Sequence, residues 1–211
     1  MIGRMPSHHE LREAFGDEPF GVREALARGF TENQLRHPAL LRPHVGTRSL
    51  ARTGESLVER ALACLPSLRP GDRFSHATAL ALLGCPIRVD AAAPIDVEAS
   101  PGETPLRRAG VRGHRAGADS THFLLRVPET DSPVPIVLPR LALLQSCSVL
   151  PFTEAVVAAD SLVRGARRRF DPASGVDLSL LTTWAGELEG RRGARRFRAA
   201  VRLARVGADS R

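Results

Sequence analysis

Lysine and tyrosine are absent from the chain, so the 30 residues of the Lys+Arg class are all arginine. Without an ε-amine there is no P-loop lysine, no Schiff-base lysine and no lysine for a PD-(D/E)xK nuclease, which removes several large enzyme classes at once. Cysteine is scarce. Cys64, Cys85 and Cys147 sit far apart inside apolar segments with no CxxC pair, a pattern that reads as buried, reduced thiols. No apolar stretch approaches the roughly 18 residues that a membrane span requires. The N-terminal segment MIGRMPSHHELREAFGDEP also lacks the apolar centre of a secretory signal, so a cytoplasmic location with no membrane contact is expected. The GxSxG, HExxH, GxxxxGK(S/T) and strand-linked GxGxxG signatures are all missing. The expectation is a protein with no catalytic residues, no cofactor and no metal site.

What is present suffices for a core: 43% of the 211 residues are hydrophobic, enough for one large domain or two small ones. The net charge of +7 is unevenly placed. Ser161 to Arg211 carry twelve arginines against five acids, so the first 160 residues balance and the whole excess lies in the last quarter. Such a field suits an acidic partner or a nucleic-acid backbone.

After a polar lead-in with a short helix around His9 to Phe15, the segment Phe20 to Arg28 places Val22, Ala25 and Leu26 at helical spacing, with Gly29 as a left-handed stop. Thr31 reads as the N-cap of a second helix, Glu32 to Arg36, bounded by Pro38. LRPHVGTRSL then reads as an extended ribbon turning at Gly46. Residues 1–52 thus form helix, turn, helix and ribbon, a winged helix-turn-helix-like module. Residues 53–211 form an α+β body ending in arginine-rich helices. Its elements are helices over 54–63 and, behind a Ser75 cap, over 76–84; strand-like runs at 95–99, 110–114, 123–127 and 134–138, expected as a small, mostly antiparallel sheet; and four helices from Pro139 onward.

In a helix-turn-helix the second helix enters the major groove with its first turn against base edges, so Thr31, Asn33, Gln34 and Arg36 are the candidate DNA readers. Arg42, His44 and Arg48 on the ribbon are the candidate phosphate contacts. Helix pairs joined by a glycine occur in many folds, and residues 1–52 hold eight arginines against six acids, a thin excess for a DNA surface. In the last helix Arg191, Arg195, Arg198, Arg202 and Arg205 form a stripe opposite Ala194, Phe197, Val201 and Ala204. Extended by Arg167, Arg168 and Arg169, this basic surface is either a solvated outer face or a site for phosphates or an acidic partner. His76 has no partner evident from spacing and reads as a first-turn helix residue beside its cap. His114 and His122 flank a turn with Asp119 between them, without a recognised ligand spacing.

The segments FGVREALARGFTENQLRHPALLRPHVGTRS, FSHATALALLGCPI, IDVEASPGETPLRRAGVRGHRA and FTEAVVAADSLVRG, in that order and spacing, cover most of Phe20 to Gly165. Together they resemble actinobacterial proteins of the AbiEi type, the antitoxins of type IV toxin–antitoxin (abortive-infection) systems. The resemblance implies an N-terminal winged helix that binds operator DNA and a body that counteracts a nucleotidyltransferase-like toxin. Longer relatives continue, past a segment similar to RLARVGADSR, into a Vsr-like endonuclease domain. Its carboxylates and lysine are not in this sequence, so no nuclease activity is carried over. The expectations are a non-catalytic DNA-binding transcriptional regulator; a protein-interaction module docking through the arginine stripe; or the non-catalytic front half of a nuclease.

Overall fold

The structure is a computed structural model that describes residues 8–52, 54–118, 120–164 and 176–206. It opens with α1 (His8–Phe15), β1 (Phe20–Gly21), α2 (Val22–Ala27), α3 (Glu32–Leu35) and β2 (Thr47–Arg48). Local chemistry fixes the turn between α2 and α3. Gly29 takes φ +90°, a left-handed value that costs a residue with a Cβ about 1 kcal/mol. Thr31 then starts α3 through a capping box with Gln34. β1 pairs antiparallel with β2, and an isolated bridge joins Leu41 to Ser49, so the ribbon closes back on the helices. Leu11, Phe20, Ala25, Leu35 and Leu40 make a small core of their own, in which the rings of Phe15 and Phe20 stack 4.1 Å apart.

The rest of the chain builds a second, larger core. In order come α4 (Leu57–Cys64), β3 (Arg73–Phe74), α5 (His76–Leu82), β4 (Ile95–Glu98), β5 (Arg107–Arg108), β6 (Val111–His114), β7 (His122–Leu125) and β8 (Val134–Val137). They are followed by α6 (Pro139–Ser146), α7 (Phe152–Val163), α8 (Leu178–Gly186) and α9 (Ala194–Leu203). The fold is therefore α+β. Six strands form one sheet in the order β5-β6-β4-β3-β8-β7. β4–β6 and β3–β8 are parallel, whereas β3–β4, β5–β6 and β7–β8 are antiparallel. Three of the five pairings are thus antiparallel, as expected of a mostly antiparallel sheet, and the two parallel ones are what the sequence pattern does not announce. Alternating hydrophobicity identifies strands but carries no pairing direction, and β3 and β5, at 2 residues each, are too short to show a period.

Register decides what each face of the sheet presents. Phe74 lies opposite Val97 on one side and Ile136 on the other, and Val97 opposite Gly113. The next row runs Arg73, Glu98, His114. Because successive residues of a strand point to opposite faces, the first row feeds the apolar core and the second turns away from it. Helices close over that core with Leu80, Leu143, Leu162 and Phe197, all fully buried. Phe197 meets Trp184 edge to face at 5.3 Å. As the sequence stripe predicts, Ala194, Phe197, Val201 and Ala204 are the buried side of α9.

The two cores meet through polar contacts: His44 Nε2 lies 3.1 Å from the Arg60 carbonyl, and the Thr130 hydroxyl donates to Glu18 at 3.2 Å. Cys64, Cys85 and Cys147 are free and buried. Among the described residues no helix is long and apolar enough to cross a membrane.

Two outcomes follow for stability. Phe197→Ala removes a fully buried ring and should lower unfolding free energy by about 3–5 kcal/mol in urea denaturation. Burial holds the His44 pKa below its usual 6.5, with the charges of Arg60 and Arg108 adding to the effect and the Arg60 carbonyl opposing it. Above pH 6.5 both folded and unfolded forms are neutral and His44 contributes no pH dependence. As pH falls below that value the unfolded chain takes up the proton first, so stability declines until the lowered folded pKa is passed. The urea midpoint of His44→Gln should therefore fall less between about pH 7.5 and 5.5 than that of the parent, the difference arising below 6.5.

Candidate functional site

The polar row of the sheet ends in a cleft of about 420 Å³ lined by Glu98, His76, His114, Arg115, Arg191 and Arg192 among others. Its floor is an ion pair. Arg73 and Glu98 are each 1% exposed, and the Arg73 Nε and Nη2 groups donate to Glu98 Oε1 at 2.9 and 2.7 Å. Removing two charges from water costs several kcal/mol each, which only dense hydrogen bonding offsets. Glu98 has that bonding: Ser120 donates to Oε1, and Gln145 Nε2 donates to Oε2 at 2.7 Å. Arg73 also donates to the Gly71 carbonyl at 3.2 Å and to the Ser120 hydroxyl at 2.9 Å. β3, β4 and α6 are thus tied at one point.

Gln145 carries the network onward. Its Oε1 accepts the backbone N–H of His76 at 3.2 Å. His76 begins α5 with φ +49°, the one non-glycine residue at positive φ among those described. A conformation of that kind costs of order 1–3 kcal/mol and is found where surroundings over-determine it. Ser75 occupies the N-cap position but makes no side-chain cap bond; its hydroxyl lies 3.1 Å from His76 Nδ1 instead. This corrects the expected Ser75 cap, because the hydroxyl serves the ring rather than the helix. The His76 ring stacks on that of His114, centroids 3.8 Å apart and 20° from parallel. His114 Nε2 in turn lies 2.8 Å from Asp96 Oδ1, with Arg112 Nη1 3.8 Å from the same oxygen. Burial, reinforced by His114, Arg112 and Arg192, pushes the His76 pKa down to about 3. The ring is neutral at physiological pH and keeps a lone pair.

Sequence spacing left His76 without a partner; the fold supplies His114 and Asp96. Of the residues around the turn, His122 is exposed, His114 is drawn to Asp96, and Asp119 lies outside the described residues. Asp96 and Glu98 were visible only as polar positions in IDVE. The signal available was that both carboxylates fall on one face of a strand between apolar neighbours, where an unpaired acid is seldom buried.

The candidate DNA readers are placed unevenly. Thr31, Asn33, Arg36 and Arg42 are exposed. Gln34 is buried, its side chain closing the capping box on Thr31. Arg36 pairs with Glu32 at 2.5 Å, and Arg42 Nη2 donates to the Arg36 carbonyl at 3.3 Å, placing the two arginines side by side. His44 is spent on Arg60, and Arg48 donates to the carbonyls of Leu35 and Thr47 at 2.6 and 2.7 Å. In the basic stripe Arg191, Arg195, Arg202 and Arg205 are exposed and Arg198 is half-buried. Arg167, Arg168 and Arg169 lie outside the described residues.

Arg73→Met leaves Glu98 buried without its counter-charge and should cost about 3–5 kcal/mol, whereas Arg73→Met combined with Glu98→Leu should recover most of that loss. Guanidinium denaturation of the two variants measures the difference; equal losses would assign the stability to shape rather than to charge.

Comparison with known proteins finds no family model that matches the chain and no curated protein that matches it.

Proposed function

We propose that the chain is a DNA-binding transcriptional regulator of the AbiEi antitoxin type, recognising its operator without performing chemistry on it. In this reading residues 1–52 are a winged helix: α3 enters the major groove and the ribbon from Leu41 to Ser49 is the wing. The observation that carries it is the joint exposure of Asn33, Arg36 and Arg42 on α3 and the start of the ribbon, over a core independent of the body. A short amide and two guanidiniums on adjoining elements suit base edges and phosphates. Gln34, His44 and Arg48 serve this reading as struts, their polar atoms being engaged within the protein.

Gel shifts against the DNA upstream of the protein's own reading frame test the proposal. Asn33→Ala with Arg36→Ala should weaken specific binding by about tenfold or more, and Arg42→Ala should reduce the salt slope by about one. Binding indifferent to all three changes would remove α3 as the reader.

A second reading has its own observation: Arg195, Arg202 and Arg205 stand exposed along α9 while the opposite side of that helix is buried. An acidic protein partner, with a nucleotidyltransferase-like toxin first among candidates, would meet the exposed arginines. Co-expression with a neighbouring nucleotidyltransferase should then yield a complex lost in Arg195→Glu with Arg202→Glu, DNA binding being unchanged.

A further inference from the structure

The strained start of α5 and the stacked histidines lie outside residues 1–52, the proposed DNA-reading module, and their arrangement has a chemistry of its own. One nitrogen each from His76 and His114 and one carboxylate oxygen of Asp96 lie within 4.8 Å of one another. Two ligands on one Zn²⁺, each bonded at roughly 2.0–2.2 Å, sit roughly 3.3 Å apart in a tetrahedron, so small side-chain rotations close the set. Asp96 and His114 already stand 2.8 Å apart. A metal ion replaces the proton they share.

The surroundings match what a ligating imidazole needs. Ser75 Oγ lies 3.1 Å from His76 Nδ1; in the tautomer protonated at Nδ1 it accepts that proton and leaves Nε2 with its lone pair, the kind of outer contact that orients a ligating ring. The His76 backbone N–H is anchored on Gln145. That anchor sustains φ +49° and brings the ring over His114. Asp96 is tied to α5, the helix that His76 begins, its backbone N–H donating to the Thr78 hydroxyl at 2.9 Å. The nearest competing cation, Arg112, is 3.8 Å from the carboxylate and half-exposed, free to swing toward solvent. The cleft in front of His76 and His114 gives the ion a way in and water a place to complete its coordination.

We propose that His76, Asp96 and His114 bind one divalent transition-metal ion of the Zn²⁺ class, with solvent from the cleft as the remaining ligand. Imidazole and carboxylate donors at this number favour Zn²⁺, with Co²⁺ as its spectroscopic substitute, over the harder Mg²⁺ and Ca²⁺. The site is independent of the DNA-binding reading, and its test does not pass through DNA.

The full chain, stripped with chelator, is titrated with Co²⁺ and followed by visible absorption, then displaced with Zn²⁺. One equivalent should produce the intense bands of four- or five-coordinate cobalt. Asp96→Asn and His114→Gln should each weaken binding by more than about 100-fold, while His122→Gln, at an exposed position, should leave it unchanged. Circular dichroism checks that the variants fold. His114→Cys keeps a donor at the same place, and should retain binding while adding a thiolate-to-cobalt charge-transfer band in the near ultraviolet. Absence of visible bands in the parent, or bands of parental intensity in Asp96→Asn and His114→Gln, would overturn the assignment.

Discussion

Arg73 and Glu98 meet directly across two central strands, out of reach of water, and neither charge is tolerable there without the other. That constraint reaches well beyond the pair. It pins the register of β3 against β4, because a slip of one residue would send the charges into the apolar face and Phe74 out of it. It recruits Ser120 from the loop before β7 and Gln145 from α6. Through Gln145 it sets the backbone of His76. Sheet, helix layer and cleft therefore share one electrostatic anchor, and the polar row of the sheet is ordered from that anchor outward.

The remainder of the molecule divides its labour by core. The first 52 residues bury phenylalanines and leucines among themselves, and their polar helix face is left to solvent. The body buries a broad aliphatic layer and confines its chemistry to the row that points away from it. The hydrogen bonds between them run to a backbone carbonyl and to a carboxylate, the type of junction that orients two units without fusing their hydrophobic interiors.

Helices were legible in the sequence because their signals are local. The Thr31 cap, the Gly29 stop and the apolar side of α9 each depend on residues within one or two turns. The cleft was not legible because it depends on register. Asp96 and His114 are 18 residues apart, and the pairing that unites them is a parallel one between β4 and β6. Ser75 illustrates the same limit in reverse: its position at a helix start was evident, yet a histidine one residue later claims its hydroxyl. Gln34, which its place on the second helix marks as a candidate base reader, is drawn inward by the cap it completes.

Gly193, with φ +84°, brings α9 so close to α6 that a Cβ there would stand 2.7 Å from the Leu144 carbonyl. Arg196 adds a hydrogen bond of 2.6 Å to the carbonyl of Leu150, just beyond α6. The helix that bears the arginine stripe is in this way seated on the helix that bears Gln145, and Arg191 and Arg192 border the cleft from the same junction. A molecule gripping the outside of α9 and one lodged in the cleft would lean on a single strut. Thermodynamic linkage then requires reciprocity: whatever factor the first changes the affinity of the second by, the second returns to the first.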